Sequence, residues 1–127
     1  MKLLGIDYGS KRIGLATSDS SGVMAFPKMV LGNDRSLISN IKKICLDEKI
    51  EKIVIGDSKD SNMKDNEIMQ SIRRFAKVIE EETKIPIEYQ LEFMTSQQAV
   101  LLQGENDMID ASAATIILQS FIDKSKN

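Results

Sequence analysis

The sequence predicts an α/β fold around a mixed five-stranded sheet, antiparallel at the start of the chain and parallel later. Residues 3–18 hold two apolar runs on either side of a polar turn, which is typical of a β-hairpin. After Asn33, apolar residues at helical spacing alternate with short β-branched runs. That alternation indicates helical crossovers between parallel strands.

The first three strands follow one another directly. Gly9 and Ser10 supply the turn chemistry of the hairpin, and residues 18–22 form a second polar turn. A third strand is expected over residues 23–31. It contains Pro27, which has no amide proton, so this strand should lie at an edge of the sheet.

A helix is expected next, with Asn33 and Asp34 as candidate N-caps and an end near Lys49. Its apolar residues repeat at spacings of three and four: Leu37, Ile38, Ile41, Ile44 and Cys45. This pattern makes the single cysteine a core residue of the helix.

The second half of the chain repeats the strand and helix pattern. A buried parallel strand spans residues 52–55 and closes at Gly56, and a polar loop covers residues 57–65. The helix that follows carries an apolar face, and a fifth strand is expected over residues 85–91. That face consists of Ile68, Ile72, Phe75, Ala76 and Ile79.

Two more helices complete the pattern. Thr95 and Gln98 have the spacing of a capping box, which predicts a helix that ends at Gly104. Asp110 precedes a strongly apolar last helix, where local sequence alone favours an N-cap role.

Composition narrows the possible chemistry. We expect residues 1–127 to form one domain, and no apolar run is long enough to cross a bilayer, so we expect a cytoplasmic protein. One cysteine and no histidine exclude an internal disulfide, a Cys/His zinc site and an imidazole base. An enzyme with this composition must rely on carboxylates, hydroxyls, amines or a hard metal ion.

Asp7 is the first candidate site residue. It ends the first apolar strand, where an ionised side chain is costly unless it is paired, hydrogen-bonded or bound to a cation. The alternative is that Asp7 only caps the hairpin turn through its own backbone. The hairpin sequence by itself leaves both interpretations open.

Three segments together resemble the YqgF/RuvX family over nearly the whole chain. They are Gly-Ile-Asp-Tyr-Gly-Ser-Lys-Arg-Ile-Gly-Leu-Ala, Glu-Phe-Met-Thr-Ser-Gln-Gln-Ala and Asp-Ala-Ser-Ala-Ala-Thr-Ile-Ile-Leu-Gln-Ser. The family is known as pre-16S rRNA nucleases and formerly as Holliday junction resolvases. The resemblance implies an RNase H-like fold with sheet order 3-2-1-4-5 and strand two antiparallel to the others.

The resemblance also implies a catalytic and metal-binding set of Asp7, Glu92 and Asp110. These acids lie at the ends of strands one and five and at the start of the last helix, where they could converge. Clustered carboxylates repel one another, and divalent cations compensate that repulsion. Two Mg²⁺ or Mn²⁺ ions roughly 4 Å apart would then support phosphodiester hydrolysis.

Two departures from the family pattern affect this site. The family usually has Asp-Glu-Arg-Leu-Thr where this chain has Leu91-Glu92-Phe93-Met94-Thr95. The changes at Leu91 and Phe93 remove a charge and an arginine fork that could bind phosphate. After strand four the family usually has an apolar residue and a proline, whereas Asp57 stands here as a candidate further metal ligand.

Basic residues give the candidate contacts to substrate. Lys11 and Arg12 follow Asp7 closely enough to meet phosphate, although each of them taken singly is more typical of a solvated turn. Further basic pairs occur on the predicted helices: Lys42 and Lys43 on the first, and Arg73, Arg74 and Lys77 on the second. The net charge of −2 argues against non-specific coating of nucleic acid.

Three functions follow from the resemblance and its departures. The first is a metal-dependent nuclease for structured RNA, in 5′-end processing of pre-16S rRNA during ribosome biogenesis. The second is a Holliday junction resolvase on branched DNA, which would need a homodimer that cuts symmetrically. The sequence itself is compatible with either a monomer or a homodimer. The third is a non-catalytic RNA-binding factor of ribosome assembly.

Overall fold

A computed structural model describes residues 1–57, 67–91 and 109–125 and shows five strands and three helices there. The strands are β1 (Leu3–Tyr8), β2 (Arg12–Ser18), β3 (Ala25–Gly32), β4 (Lys52–Asp57) and β5 (Ile87–Leu91). The helices are α1 (Leu37–Asp47), α2 (Glu67–Thr83) and α3 (Ile109–Ser125). The predicted helix between Thr95 and Gly104 lies outside the described residues, as does all of the predicted loop except Asp57, which ends β4.

The strands form a single sheet in the order β3-β2-β1-β4-β5. β2 pairs antiparallel with both neighbours, and β4 pairs parallel with β1 and β5. This arrangement confirms the order and the antiparallel second strand that the family resemblance implies. β3 and its Pro27 lie at one edge, as the sequence predicts.

One face of the sheet packs against α1 and α2. Alternate residues of β1 and β4, such as Leu4, Ile6 and Ile55, are fully buried there. Cys45 of α1 belongs to this core with 4% of its surface exposed, and burial raises the pKa of its thiol to about 11. The thiol is therefore neutral at ordinary pH, which agrees with the predicted core role.

The other face of the sheet packs against α3. Leu3 of β1 and Val54 of β4 point to this face and belong to one buried cluster with Ile117 and Leu118 of that helix. The side chain of Gln119 accepts a hydrogen bond of 2.8 Å from the amide of Ala25 and so ties α3 to the start of β3. No helix in the described ranges is long and apolar enough to span a membrane.

The start of α1 differs from the prediction that Asn33 or Asp34 is its N-cap. Ser36 occupies the cap position and makes no side-chain cap hydrogen bond. The carboxylate of Asp34 instead accepts bonds from the hydroxyl and amide of Ser36, at 2.6 and 2.9 Å, which lower the pKa of Asp34. Asp34 therefore closes a turn just before the helix.

The end of α1 is a left-handed turn at Lys49, where φ is 57°. The amide of Ile50 donates to the carbonyl of Cys45 at 3.0 Å, and the amide of Lys49 to that of Leu46 at 3.4 Å. These two bonds form a Schellman motif, in which glycine is the favoured residue at the left-handed position. Lys84 ends α2 with a similar φ of 61°.

We predict that Lys49→Gly stabilises the protein by about 0.5–1 kcal/mol, because glycine adopts this φ without steric cost. Lys43→Gly, at an exposed position inside α1, is the matched control and should destabilise by about 0.7 kcal/mol. Urea denaturation of the three proteins measures both effects. A decrease in stability for Lys49→Gly would contradict the prediction.

Candidate active site

Asp7 lies near the carboxyl end of β1 and is half-buried. Strand alternation places it in the series Leu3, Gly5, Asp7, which faces α3. Leu3 packs in the core beneath α3, and Gly5 lies directly against Leu118 of that helix. The carboxylate is therefore on the α3 face, at the edge of the sheet where the parallel strands end.

Glycines flank Asp7 on both neighbouring strands. Asp7 pairs with Gly14 of β2. The pairing of Ile6 with Ile55, continued by one residue, places Gly56 of β4 beside Asp7 on the other side. Neither adjacent strand therefore brings a side chain to the position next to the carboxylate, a feature that the sequence patterns by themselves did not reveal.

The backbone of α3 brings residue 110 to the level of Asp7. Gly5 lies against Ala114 and Leu118, and the ammonium of Lys52, which pairs with Leu3, lies 5.8 Å from the ring centroid of Phe121, so α3 runs antiparallel to β1. Residue 110 precedes Ala114 by one helical turn, about 6 Å along the axis. Asp7 lies a similar distance, about 7 Å, beyond Gly5 along the strand.

The other predicted ligands are only partly described. Glu92 lies outside the described residues, and the side chain of Asp110 is also not described. Among the side chains that the structure does describe, no group of three or more acidic, cysteine or histidine residues has the arrangement of a metal site. The metal-binding role of the full set therefore stays a prediction.

Asp57 is the last residue of β4 and pairs with Leu91 of β5. The sequence pattern placed it at the start of a loop, whereas the strand continues through it. The role of Asp57 as a further metal ligand stays a prediction.

Lys11, in the turn that follows Asp7, and Arg12, the first residue of β2, are both exposed. The turn is tight at Gly9, where a Cβ atom would lie 2.6 Å from the carbonyl oxygen of Arg12. Only glycine fits this approach without a backbone shift. Because the turn is short, Lys11 and Arg12 both follow Asp7 closely in the sequence.

Asn33 fixes this turn from the end of β3. Its side-chain amide donates to the carbonyl of Gly9 at 2.9 Å, and its backbone amide donates to the carbonyl of Lys11 at 2.9 Å. The sequence pattern indicated a helix cap for Asn33, since both roles place an asparagine between a strand and a helix. The structure assigns it to the hairpin instead.

Comparison with known proteins identifies the family. The model of the family described as "RuvX: Holliday junction resolvase" matches residues 1–124. The chain belongs to the RuvX family. This RuvX chain is 34% identical to a Clostridium kluyveri protein over 135 residues, covering 98% of each, and 33% identical to one from Oenococcus oeni over 137 residues, covering 98% and 95%. Both relatives carry the name "Putative pre-16S rRNA nuclease".

Solved structures confirm the RNase H-like fold of the RuvX chain. Thermus thermophilus RuvC in complex with a Holliday junction substrate superimposes with a TM-score of 0.66, covering 100% of this chain and 97% of RuvC at 14% identity. Fowlpox virus resolvase in complex with Holliday junction DNA gives a TM-score of 0.64 at 8% identity, covering all of both chains. At these identities the similarity shows the fold alone.

We predict that Gly5→Ala destabilises the RuvX chain by about 1–3 kcal/mol through overpacking. The new Cβ would lie 2.7 Å from the Cβ of Leu118 and 3.0 Å from the carbonyl oxygen of Ala114, so α3 must move away from β1. Gly32→Ala is the control, because its Cβ would meet a side-chain atom, Oδ2 of Asp34 at 3.0 Å, and not the backbone of a packed helix. Thermal and urea unfolding of the three proteins test this, and equal stability of the two variants would contradict it.

We predict that Asn33→Ala and Asn33→Asp both loosen the turn after Asp7, because neither side chain can donate to the carbonyl of Gly9. The expected loss of stability is about 1 kcal/mol. Faster amide hydrogen exchange should be confined to residues 9–12 and the end of β3. Asn40→Ala, which removes a 3.3 Å contact on the surface of α1, is the control and should leave exchange in this turn unchanged.

Proposed function

We propose that this chain is a metal-dependent nuclease that hydrolyses phosphodiester bonds in structured RNA. Its role would be 5′-end processing of pre-16S rRNA in ribosome biogenesis, in the cytoplasm, with residues 1–127 acting as one domain. The observation that carries the proposal is Asp7, a half-buried acid at the carboxyl end of β1, with the start of α3 at its level. This geometry occurs in a chain of the RuvX family.

The donor set fits Mg²⁺ or Mn²⁺. These ions prefer oxygen ligands, and the chain offers carboxylates and no histidine. The flanking Gly14 and the neighbouring Gly56 bring no side chain that would compete for the Asp7 oxygens. In the proposal Asp7, Glu92 and Asp110 hold the ions, which supply charge neutralisation at the phosphate and an activated water.

The protein residues around this set have separate tasks. Asp7 holds its carboxylate on a strand that is paired on both sides, so its position is fixed by the sheet. Lys11 and Arg12 attract the phosphates that flank the cleaved bond, and Asn33 holds their turn in place. With no histidine in the chain, no imidazole serves as general base.

The names of the curated relatives favour RNA over branched DNA. Relatives of 31–34% identity that span nearly the whole chain bear the pre-16S rRNA nuclease name. The solved junction resolvases share the fold at 8–14% identity, and the description of the family model also names a Holliday junction resolvase. RNA cleavage also needs only one site per molecule, whereas symmetric junction cutting needs two copies.

The test is cleavage of labelled single-stranded RNA, a structured rRNA-leader RNA and a four-way DNA junction, each with Mg²⁺, Mn²⁺ or EDTA. We expect metal-dependent cutting of the structured RNA. Asp7→Asn keeps the size of the side chain and removes its charge, and should reduce the rate roughly 10²- to 10⁴-fold. Asp47→Asn, at an exposed position at the end of α1, is the matched control and should cut like wild type.

The same cleavage assay with Glu92→Gln, Asp110→Asn and Asp57→Asn tests each of the other proposed metal ligands separately. Loss of cutting in the first two, with Asp57→Asn unaffected, would assign the ions to Asp7, Glu92 and Asp110 alone. Preference for the junction would replace the RNA proposal with the resolvase. RNA binding without cleavage of any substrate would contradict catalysis and leave a binding factor of ribosome assembly.

A further inference from the structure

A groove lies between α2 and the edge strand β5, on the face of the sheet opposite to Asp7. It has a volume of about 240 Å³ and combines basic, aromatic and aliphatic side chains. Its lining residues are Arg73, Ala76, Lys77, Glu80, Ile87 and Tyr89. Tyr89 is 42% exposed although it lies in a strand.

After Glu67, its first residue, α2 carries its charges in two groups, basic and then acidic. Arg73, Arg74 and Lys77 are all exposed in its first two-thirds, and Glu80, Glu81 and Glu82 follow in the last turns. Acidic residues at the carboxyl end of a helix oppose the helix dipole, so this order does not favour helix stability. It does place two basic side chains, Arg73 and Lys77, and one acidic side chain, Glu80, in the lining of the groove.

The positive part of α2 lies toward the same edge of the sheet as Asp7. α2 ends at Thr83, close to the start of β5 at Ile87, so its earlier turns lie toward the carboxyl ends of the strands. The ring of Tyr8, the residue after Asp7, contacts the ring of Phe75 with centroids 4.9 Å apart. Phe75 lies between Arg73 and Lys77 in the sequence.

The sheet register gives the distance of Tyr89 from the site. Tyr89 pairs with Ile55, which pairs with Ile6, the residue before Asp7. Two strand spacings, about 10 Å, therefore separate the backbones of Tyr89 and Ile6. A strand of nucleic acid that crosses the β5 edge of the sheet could reach both the groove and the Asp7 end of β1.

We propose that this groove binds a single-stranded segment of nucleic acid next to the bond that is cleaved. Tyr89 stacks on a base, and Arg73 and Lys77, one helical turn apart, contact the adjacent phosphates. The groove is exposed and lies at a sheet edge, so it suits an unpaired strand whose bases can turn toward the protein. This subsite extends the proposed nuclease function, on which it rests.

The test is fluorescence anisotropy of short labelled probes in EDTA, so that binding is measured without cleavage. The probes are single-stranded RNA, single-stranded DNA of the same sequence and a blunt RNA duplex. Tyr89→Ala should weaken binding of the single strands about tenfold, and Tyr89→Phe, which keeps the ring, should bind like wild type. The RNA and DNA probes together show whether the groove distinguishes the two sugars.

Salt dependence tests the phosphate contacts independently of the tyrosine. Arg73→Gln and Lys77→Gln should each lower the slope of log K against log salt by about 0.7 for a single strand. Lys43→Gln, on the exposed surface of α1, is the control and should leave the slope unchanged. These positions are exposed, so the variants should fold even if Tyr89→Ala does not.

The outcomes separate this subsite from the nuclease proposal. If Tyr89→Ala and both glutamine variants bind single strands like wild type, the groove is not a nucleic-acid subsite, even where metal-dependent cleavage is seen. Equal weakening of the duplex would also overturn base stacking. Selective loss with the single strands would support the groove, even if no substrate is cleaved.

Discussion

The close approach of α3 to β1 is the constraint on which the site depends. At Gly5 the helix lies so near the strand that a single added carbon would collide with both the backbone and a side chain of α3. Contact at this point sets the height of the helix along the strand. The start of α3 consequently comes level with Asp7, because one helical turn and two strand residues cover nearly the same distance.

The alternation of side chains along the strands gives the sheet two different faces. The α3 face carries Asp7 between positions held by glycine, and the other face carries the larger isoleucine core and the basic part of α2. The two faces meet along the rim of the sheet, both at the β5 edge and where the parallel strands end. A substrate that contacts both faces must therefore pass around this rim, and open α/β sheets commonly bind ligands where their parallel strands end.

Much of this architecture could be predicted from the sequence because most strands and helices follow from local patterns of apolar residues. Strand residues such as Lys52–Ile55 and the helical spacing of Ile68, Ile72 and Phe75 report burial directly. The strand order came from the family resemblance and not from local periodicity. Asn33 was assigned wrongly, because its partner Gly9 lies 24 residues away and only the fold brings them together. The glycines beside Asp7 were missed for the same reason, since register is a property of paired strands.

The start of β3 leaves apolar side chains at an open sheet edge: Met24 is 54% exposed and Phe26 is 47% exposed. An exposed edge strand of this kind can pair with a strand of another molecule, and such pairing leads to aggregation. The amide of Ala25 donates its hydrogen bond to Gln119 and so points away from β2. The backbone nitrogen of Pro27, two residues later in the strand, points the same way but carries no proton. Two successive outward donors are thus missing, and the sheet cannot be extended in register there by a second chain.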